Sequence, residues 1–468
     1  MALILERELR GAKEMHTLTA EKVVEMGTAT KANEPLPSAV APESCLVVPA
    51  ALPSFDTAAG SAVSGTTASE QVMSTSLPDF LDAWLDAHAH EVVAARRHIH
   101  ANPRLSRQEH DTADYVAARL LEAGLQPQII PDGTGLTCDI GTGDRVIAIR
   151  ADMDALPIHD PKQVPYRSTV DGVCHACGHD AHTAMLLGVG RVLHELEARE
   201  GLPGRFRLVF QPSEEQFPSG APTMIKYGAL TDVDAIFAFH CDPQFPAGKV
   251  GVRNGPLTAA CDVMEVRMKG RGGHTSRPHL THDLVNAIGR VVVDVPALVN
   301  RRLDPRQSVA IVFGAVQAGE AANAIPQEAL ARATVRVHGR ETWDMIPDLV
   351  QEVTRSVARA SGVECEIDYR RGVPPVVNDR AASAMFAGAA AAALGPDAVV
   401  EAPMSMGGED FAYYLEQIPG AMARLGVGRP GERLDIHQGN FDIDEDALSH
   451  GVRVMTHTAL AAAQSPAF

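Results

Sequence analysis

The chain has 468 residues, 45% hydrophobic and 21% charged, with a net charge of −18. That composition excludes a wholly disordered or collagen-like polymer and sets an expectation of two to three domains. So acidic a polypeptide repels polyanions, which excludes nucleic acid as a partner, and no apolar run reaches the ~18 residues of a membrane-spanning helix. Seven cysteines are too few, and odd in number, for a secreted disulfide scaffold, so the expectation is an enzyme or binding protein of a reducing, cytoplasmic compartment.

The first stretch differs from the rest. Glu6 to Met26 has the pattern of a short amphipathic helix, and Pro35 to Ser69 is dominated by Ala, Pro, Ser, Thr and Gly. Such a segment cannot bury enough apolar area to offset its backbone entropy, so residues 1–76 read as a disordered extension. Glu6, Glu8 and Glu14 stand where a secretory signal needs positive charge. A translation start further down, at Met73, is the other reading of this region.

From Asp79 the pattern is globular. Apolar residues at helical spacing predict helices over Phe80 to His100 and Glu109 to Leu125. Val146 to Ile149 reads as a buried strand running into an Asp-rich segment. A helix is expected from Asp180 to Leu196, with Asp180 as its cap. Strands are expected at Phe206 to Phe210 and Ala235 to Phe239. Strands alternating with helices predict an α/β domain with a mainly parallel sheet and helices on both faces.

Near Pro256 the rhythm changes. Val263 to Met268, Ser308 to Val316 and Ala331 to Val337 read as strands, and Leu284 to Val299 and Glu341 to Ala360 as helices. This is an α+β unit, expected to span 257–367 and to be inserted into an α/β domain made of 77–256 and 368–468.

Chemistry concentrates where strands should end, the place open α/β sheets use for their sites. Cys174, His175, Cys177, His179 and His182 lie within nine residues together with Asp180. Thiolate and imidazole suit zinc, manganese, cobalt and similar ions, although the spacing is not that of a zinc finger; a His-rich loop capping a helix is the alternative. Glu214 and Glu215 close one strand and His240 ends another. Asp152 and Asp154 share one face after a third, and His437 sits in a Gly/Asn-rich loop. His450 and His457 fall in a helix and read as surface residues. Cys138, Cys174, Cys241, Cys261 and Cys365 read as small buried side chains.

These runs carry a resemblance. RADMDALP (150–157), HACGHDAHT (175–183), FQPSEE (210–215), IFAFHCDP (236–243), GRGGHTSRPH (270–279), ANAIP (322–326) and MGGEDF (406–411) occur in order. Together the chain resembles the amidohydrolase branch of the M20 metallopeptidases over about residues 80–465. The resemblance implies a metal-dependent hydrolase of N-acyl amino acids, with a dipeptidase or carboxypeptidase of the same branch as the alternative. A non-catalytic metal-binding protein of the same fold is a third reading, against which Glu214 and the complete ligand set stand. The implied ligands are Cys177, His179, Glu215, His240 and His437, holding two divalent ions (Mn, Zn, Co or Ni). Glu214 is implied as general base, and Asp154 as the acid orienting a ligand, with Asp152 and Asp180 as further candidates.

The inserted unit resembles the family's lid and dimerisation domain, so a homodimer is implied. His274 would reach the scissile carbonyl across the interface, and Asn323 and Arg336 would hold the substrate carboxylate. Other readings stay open: His274 between glycines as a helix cap, Asn323 as a turn former, Glu409 and Asp410 as a cap for a helix near Phe411 or as site residues, and His175 and His182 as hydrogen-bonding neighbours of the ligands. The sequence departs from the branch after Glu215, where Gln216 to Gly220 replaces a glycine-rich stretch, and after His437. Both departures border the expected pocket and bear on substrate preference.

Overall fold

The computed structural model describes residues 76–468. The expectations for residues 1–75, the short helix and the low-complexity segment included, lie outside the described residues.

The expected strand at Val146 extends from Val146 to Asp152 and is buried along its whole length. It lies in an eight-stranded sheet, in the spatial order Gln128–Ile129, Leu136–Ile140, Arg205–Gln211, Val146–Asp152, Ala235–Pro246, Gly420–Gly428, Val250–Val252, Val399–Glu401. The four middle strands run parallel. Leu136–Ile140 joins them antiparallel on one side, and Val250–Val252 joins antiparallel on the other.

Alternation explains why the sheet is covered on both faces. Ile147, Ile149 and Ala151 point into a core shared with Phe206, Leu208, Phe237 and the helices Leu77–Ala101, His179–Glu200 and Asp446–Gln464. Val146 and Ala148 point to the opposite core with Val209, Ile236, Met422 and Phe411. Successive side chains of a strand face opposite ways, so a strand buried on both sides is apolar throughout rather than alternating. Each fully buried Phe here contributes about 1.5–3 kcal/mol of apolar burial.

Val146–Asp152 sends its chain to Arg205–Gln211 on one side, while Ala235–Pro246 pairs with it on the other. The crevice beyond its C-terminal end is therefore the switch point of the sheet, where open α/β folds bind ligands.

Residues 260–373 build a second, antiparallel sheet in the order Val309–Gln317, Glu328–Val337, Ala260–Lys269, Cys365–Val373. Its separate core joins Met264, Val266 and Met268 to Ile288 and Val291 of the helix Leu284–Asn300 and to Ile346 and Val350 of the helix Arg340–Ala360. The last strand continues to Val373, past the boundary expected at 367, because its pairing with Ala260–Lys269 carries on through Arg370 and resumes after a bulge at Val373. No helix among the described residues is long and apolar enough to cross a membrane.

Candidate metal centre

Gly178 stands at φ +95° at the head of the helix His179–Glu200. A Cβ there would lie 2.9 Å from Cys241 Cβ, so only glycine permits the turn. Asp180 is therefore not the cap expected from the sequence. It lies in the first helical turn, where its Oδ2 accepts from Arg96 Nε at 2.7 Å and meets His100 Nδ1 at 2.7 Å.

The turn delivers His179 to the crevice. His179 Nδ1 lies 2.9 Å from the Asp154 carbonyl oxygen, and His240 Nδ1 lies 2.8 Å from the Cys241 carbonyl oxygen. A carbonyl can only accept, so each Nδ1 carries a proton, and Nε2 is the nitrogen that a cation would engage, the orientation of a metal-ligating imidazole. The His240 Nε2 is 3.5 Å from Cys177 Sγ. The His179 Nε2 is 3.9 Å from Glu215 Oε1 and 3.6 Å from Asp152 Oδ2, without a hydrogen bond. His437, at φ +60°, is held by its own N–H on the Ala176 carbonyl. Its Nε2 approaches Glu215 Oε1 to 3.0 Å without the alignment of a hydrogen bond.

Cys177, His179 and His240 thus have ligand atoms within 4.8 Å of one another, as do Cys177, Glu215 and His437, and His179, Glu214 and Glu215. The structure brings all five sequence-predicted ligands together around one point.

The donor set fits a divalent cation. Two ligand atoms buried at this rim, His179 Nε2 and Glu215 Oε1, have no hydrogen-bond partner among the described residues, and leaving a buried polar atom unpartnered is costly. Burial works against a charged His179, yet Asp152, Asp154 and Glu215 outweigh it and raise its pKa to about 10. Burial, reinforced by Glu215, Glu214 and Asp152, pushes the Cys177 thiol well above its ordinary value. Such a pocket calls for positive charge, and a cation is what converts a buried thiol into a ligating thiolate.

Asp154 shapes the carboxylate pair. Its two oxygens accept from the backbone N–H groups of Glu214 and Glu215, each at 3.0 Å, and Oδ2 also accepts from Ser106 Oγ at 2.6 Å. Asp152 lies 2.6 Å from His182 Nδ1, while His182 Nε2 accepts from the Cys241 N–H. His182 thus supports the strand beside the ligands. His175 is buried, but neither ring nitrogen finds a hydrogen bond among the described residues.

Behind this rim lies an ionic cluster that sequence reasoning missed. Arg150, fully buried, reaches Asp152 Oδ2 at 2.6 Å, Glu409 Oε1 at 3.1 Å and Asp410 Oδ1 at 2.8 Å, and donates to Gln211 Oε1. Glu409 Oε1 also accepts from Phe411 N, just before the short helix Ala412–Leu415, but that helix has no side-chain cap, so the capping reading of Glu409 is not realised. The only sequence signal was the place of Arg150 and Gln211 inside matched motifs.

Glu214 sits between the ligand set and this cluster and lines a cavity of about 710 Å³. Its carboxylate accepts no hydrogen bond among the described residues. Burial, then Glu409, Glu215 and Asp410, push its carboxyl well above the ordinary value.

Residues 148–461 match Peptidase family M20/M25/M40. The chain belongs to this family. It is a metal-dependent hydrolase of amide bonds. An N-acetyl-L-cysteine deacetylase of Bacillus subtilis is 36% identical over 360 residues, 76% of this chain and 85% of that protein. A crystal structure of a dinuclear metal-binding M20 peptidase from Bacillus subtilis superposes with a TM-score of 0.72 at 33% identity, covering 81% of this chain and 99% of the other. A Rhodococcus jostii protein that carries a glutamate–cysteine ligase name is 46% identical over 368 residues, 78% of this chain, and the chain spans about half (46%) of its length.

The expected lid residues are placed differently. Arg336 lines the cavity and donates to the Met406 carbonyl. His274 and Asn323 do not line it. They lie on the exposed two-stranded ladder of Gly273–His274 and Ala324–Ile325, where Thr275 N donates to the Asn323 carbonyl. A Cβ at Gly272 would meet the Ile325 carbonyl at 2.5 Å, so this glycine serves the ladder. His450 and His457 are half-buried rather than surface residues, and Cys261 and Cys365 are only partly buried.

Proposed function

We propose that the chain hydrolyses N-acyl amino acids to a carboxylic acid and a free amino acid, with Cys177, His179, Glu215, His240 and His437 holding two divalent ions. A bound ion of this kind supplies a Lewis acid and acidifies a water, from about 15.7 toward ~7. Glu214 takes a proton from the attacking water and returns it to the amine nitrogen as the C–N bond breaks. Asp154 holds the Glu214–Glu215 turn, so that one carboxylate ligates while the other works on the proton. Arg336 faces the substrate carboxylate from the cavity wall.

The observation that carries the reading is the Glu214 carboxylate, free of hydrogen bonds among the described residues, on the cavity floor beside the ligand set. The Bacillus subtilis relative named as an N-acetyl-L-cysteine deacetylase supports an acylated amino acid as substrate. Manganese, zinc, cobalt and nickel all suit the donors, and a ligating Cys177 thiolate supports a reducing, cytoplasmic compartment.

We read residues 257–367 as an inserted lid through which two copies associate. The strand Val309–Gln317 is an edge of its sheet, with Val312 and Val316 exposed. Val285 and Val293 are exposed on the helix Leu284–Asn300. An unpaired edge with apolar side chains is a surface that a second copy would cover. His274 and Asn323, absent from the cavity of their own chain, would then act at the partner's site.

The test is metal-reconstituted turnover of acetyl-, benzoyl- and long-chain acyl amino acids and dipeptides, run beside E214Q. The variant should keep its metal content and lose about 10²–10⁴ in kcat. Wild-type-like turnover in E214Q would remove Glu214 from the mechanism.

A further inference from the structure

Four arginines line the cavity: Arg336, Arg370, Arg371 and Arg424. Three are engaged. Arg336 donates to the Met406 carbonyl. Arg370 pairs with Asp368 at 3.2 Å. Arg371 donates to the Trp343 carbonyl at 2.9 Å and lies 4.2 Å from the centre of its ring. Arg424 is only 9% exposed, yet it makes no hydrogen bond or ion pair among the described residues.

Its position follows from the strand. On Gly420–Gly428, Ala421, Ala423 and Leu425 turn to one core and Met422 to the other. Arg424 is the next residue on the Met422 face, where that core ends and the cavity opens. It stands in register with His240 on the neighbouring parallel strand and with Gly251 on the other side. Gly251 leaves the room: a Cβ there would already meet Arg424 Cβ at 3.2 Å.

The guanidinium nitrogens of Arg424 are accessible at the cavity wall, and a guanidinium cannot shed its proton, so an anion entering the cavity meets an uncommitted, permanently charged donor there. None of the cavity's own carboxylates pairs with Arg424 among the described residues. Glu409 is held by Arg150, Asp242 accepts from Gln244 N, Asp435 accepts from Ile436 N, and Glu214 and Glu215 belong to the ligand rim. Bound cations near His240 would repel Arg424 rather than satisfy it.

We propose that Arg424 receives a second acidic group of the substrate, so that the preferred amide is a dicarboxylate. This rests on the N-acyl amino acid reading above and narrows it. The second carboxylate belongs either to an acidic amino-acid side chain or to a dicarboxylic acyl group; both present the same planar, two-oxygen acceptor to the guanidinium fork.

The experiment compares metal-loaded wild type, R424K and R424M on two isosteric pairs: N-acetylglutamate against N-acetylglutamine, and N-succinylalanine against N-succinamoylalanine. Wild type should favour the acidic member of one pair by about 10- to 100-fold in kcat/KM, the size of a charge-assisted contact. The pair that shows it locates the carboxylate. R424M should erase that ratio chiefly through KM, and R424K should keep part of it. A wild-type ratio near unity in both pairs overturns the proposal, as does a ratio unchanged in R424M. An equal loss on all four substrates in R424M would assign Arg424 to the carboxylate common to them and also overturns it. Calorimetric binding of the same four compounds to E214Q, and to E214Q combined with R424M, reads the subsite without turnover. An acid preference there that disappears with R424M, alongside a wild type that hydrolyses none of them, would sustain the subsite and sink the hydrolase reading.

Discussion

The rim of the eight-stranded sheet and the ladder that carries His274 are both rich in motif residues, but they are held in opposite ways. At the rim three of the five candidate ligands are fixed from behind: His179 by the Asp154 carbonyl, His240 by the Cys241 carbonyl, and Glu215, in its turn with Glu214, by Asp154. At the ladder, His274 is exposed and its Nδ1 meets only Ser276 two residues away. A site that must bind cations tightly is built where buried groups remove its freedom. A residue that must meet something arriving from outside is left on a surface.

The sharpest way to break this contrast is to mix the two halves. H274A should lose about 10²–10³ in kcat with its metal content unchanged, since it would remove a donor aimed at the carbonyl. Combining H274A chains with E214Q chains should then restore part of the activity, because one site of a mixed pair keeps both residues. Absence of any recovery, with mixed oligomers demonstrated by mass, would confine His274 to a role in its own ladder.

The rim makes the next prediction. D154A withdraws the acceptor for two backbone N–H groups and for Ser106. Metal affinity should fall by about 10- to 100-fold, read by competition with a chromophoric chelator. Unchanged affinity would mean that the Glu214–Glu215 turn holds itself.

Deeper still, R150M strands Asp152, Glu409 and Asp410 as buried acids. It should cost about 3–5 kcal/mol in urea unfolding. A far smaller loss would show that Gln211, with Tyr414 behind it, can reorganise to satisfy them.

The smallest expected effect lies outside the centre. Burial raises the Asp442 carboxyl, but Arg96, Tyr166 and Arg429 prevail and hold it below its ordinary value. A depressed carboxyl contributes stability that is present above its unfolded pKa of about 4 and is lost as pH falls through the folded value. The urea midpoint should therefore drop below about pH 4, and D442N should flatten that part of the curve. An identical acid limb in D442N would place the sensitivity elsewhere.

Much of this was legible before any coordinates. The strand Val146–Asp152 announced itself by the apolar run Val146 to Ile149 at its start, and the helices Leu77–Ala101 and Arg340–Ala360 by apolar spacing. Other features were hidden. Asp180 looked like a helix cap, but the positive φ of Gly178 moved the cap back two residues and freed the carboxylate for Arg96. That His274 lies outside the cavity of its own chain, on the ladder where Gly272 answers to the Ile325 carbonyl, was not readable from its Gly-rich context.

Residue types and local order were enough to determine the α/β and α+β segments and the strand-end position of the acids and imidazoles, which depend on periodicity and turn chemistry written in neighbouring letters; which of them form the candidate ligand set followed from the family resemblance. The tertiary structure alone decided which groups meet. Arg150 and Glu409 are 259 residues apart, and Arg424 faces His240 only because two parallel strands pair in that register. A guanidinium's partner, or its lack of one, is a property of folded space, where burial makes the difference between a satisfied charge and a waiting one.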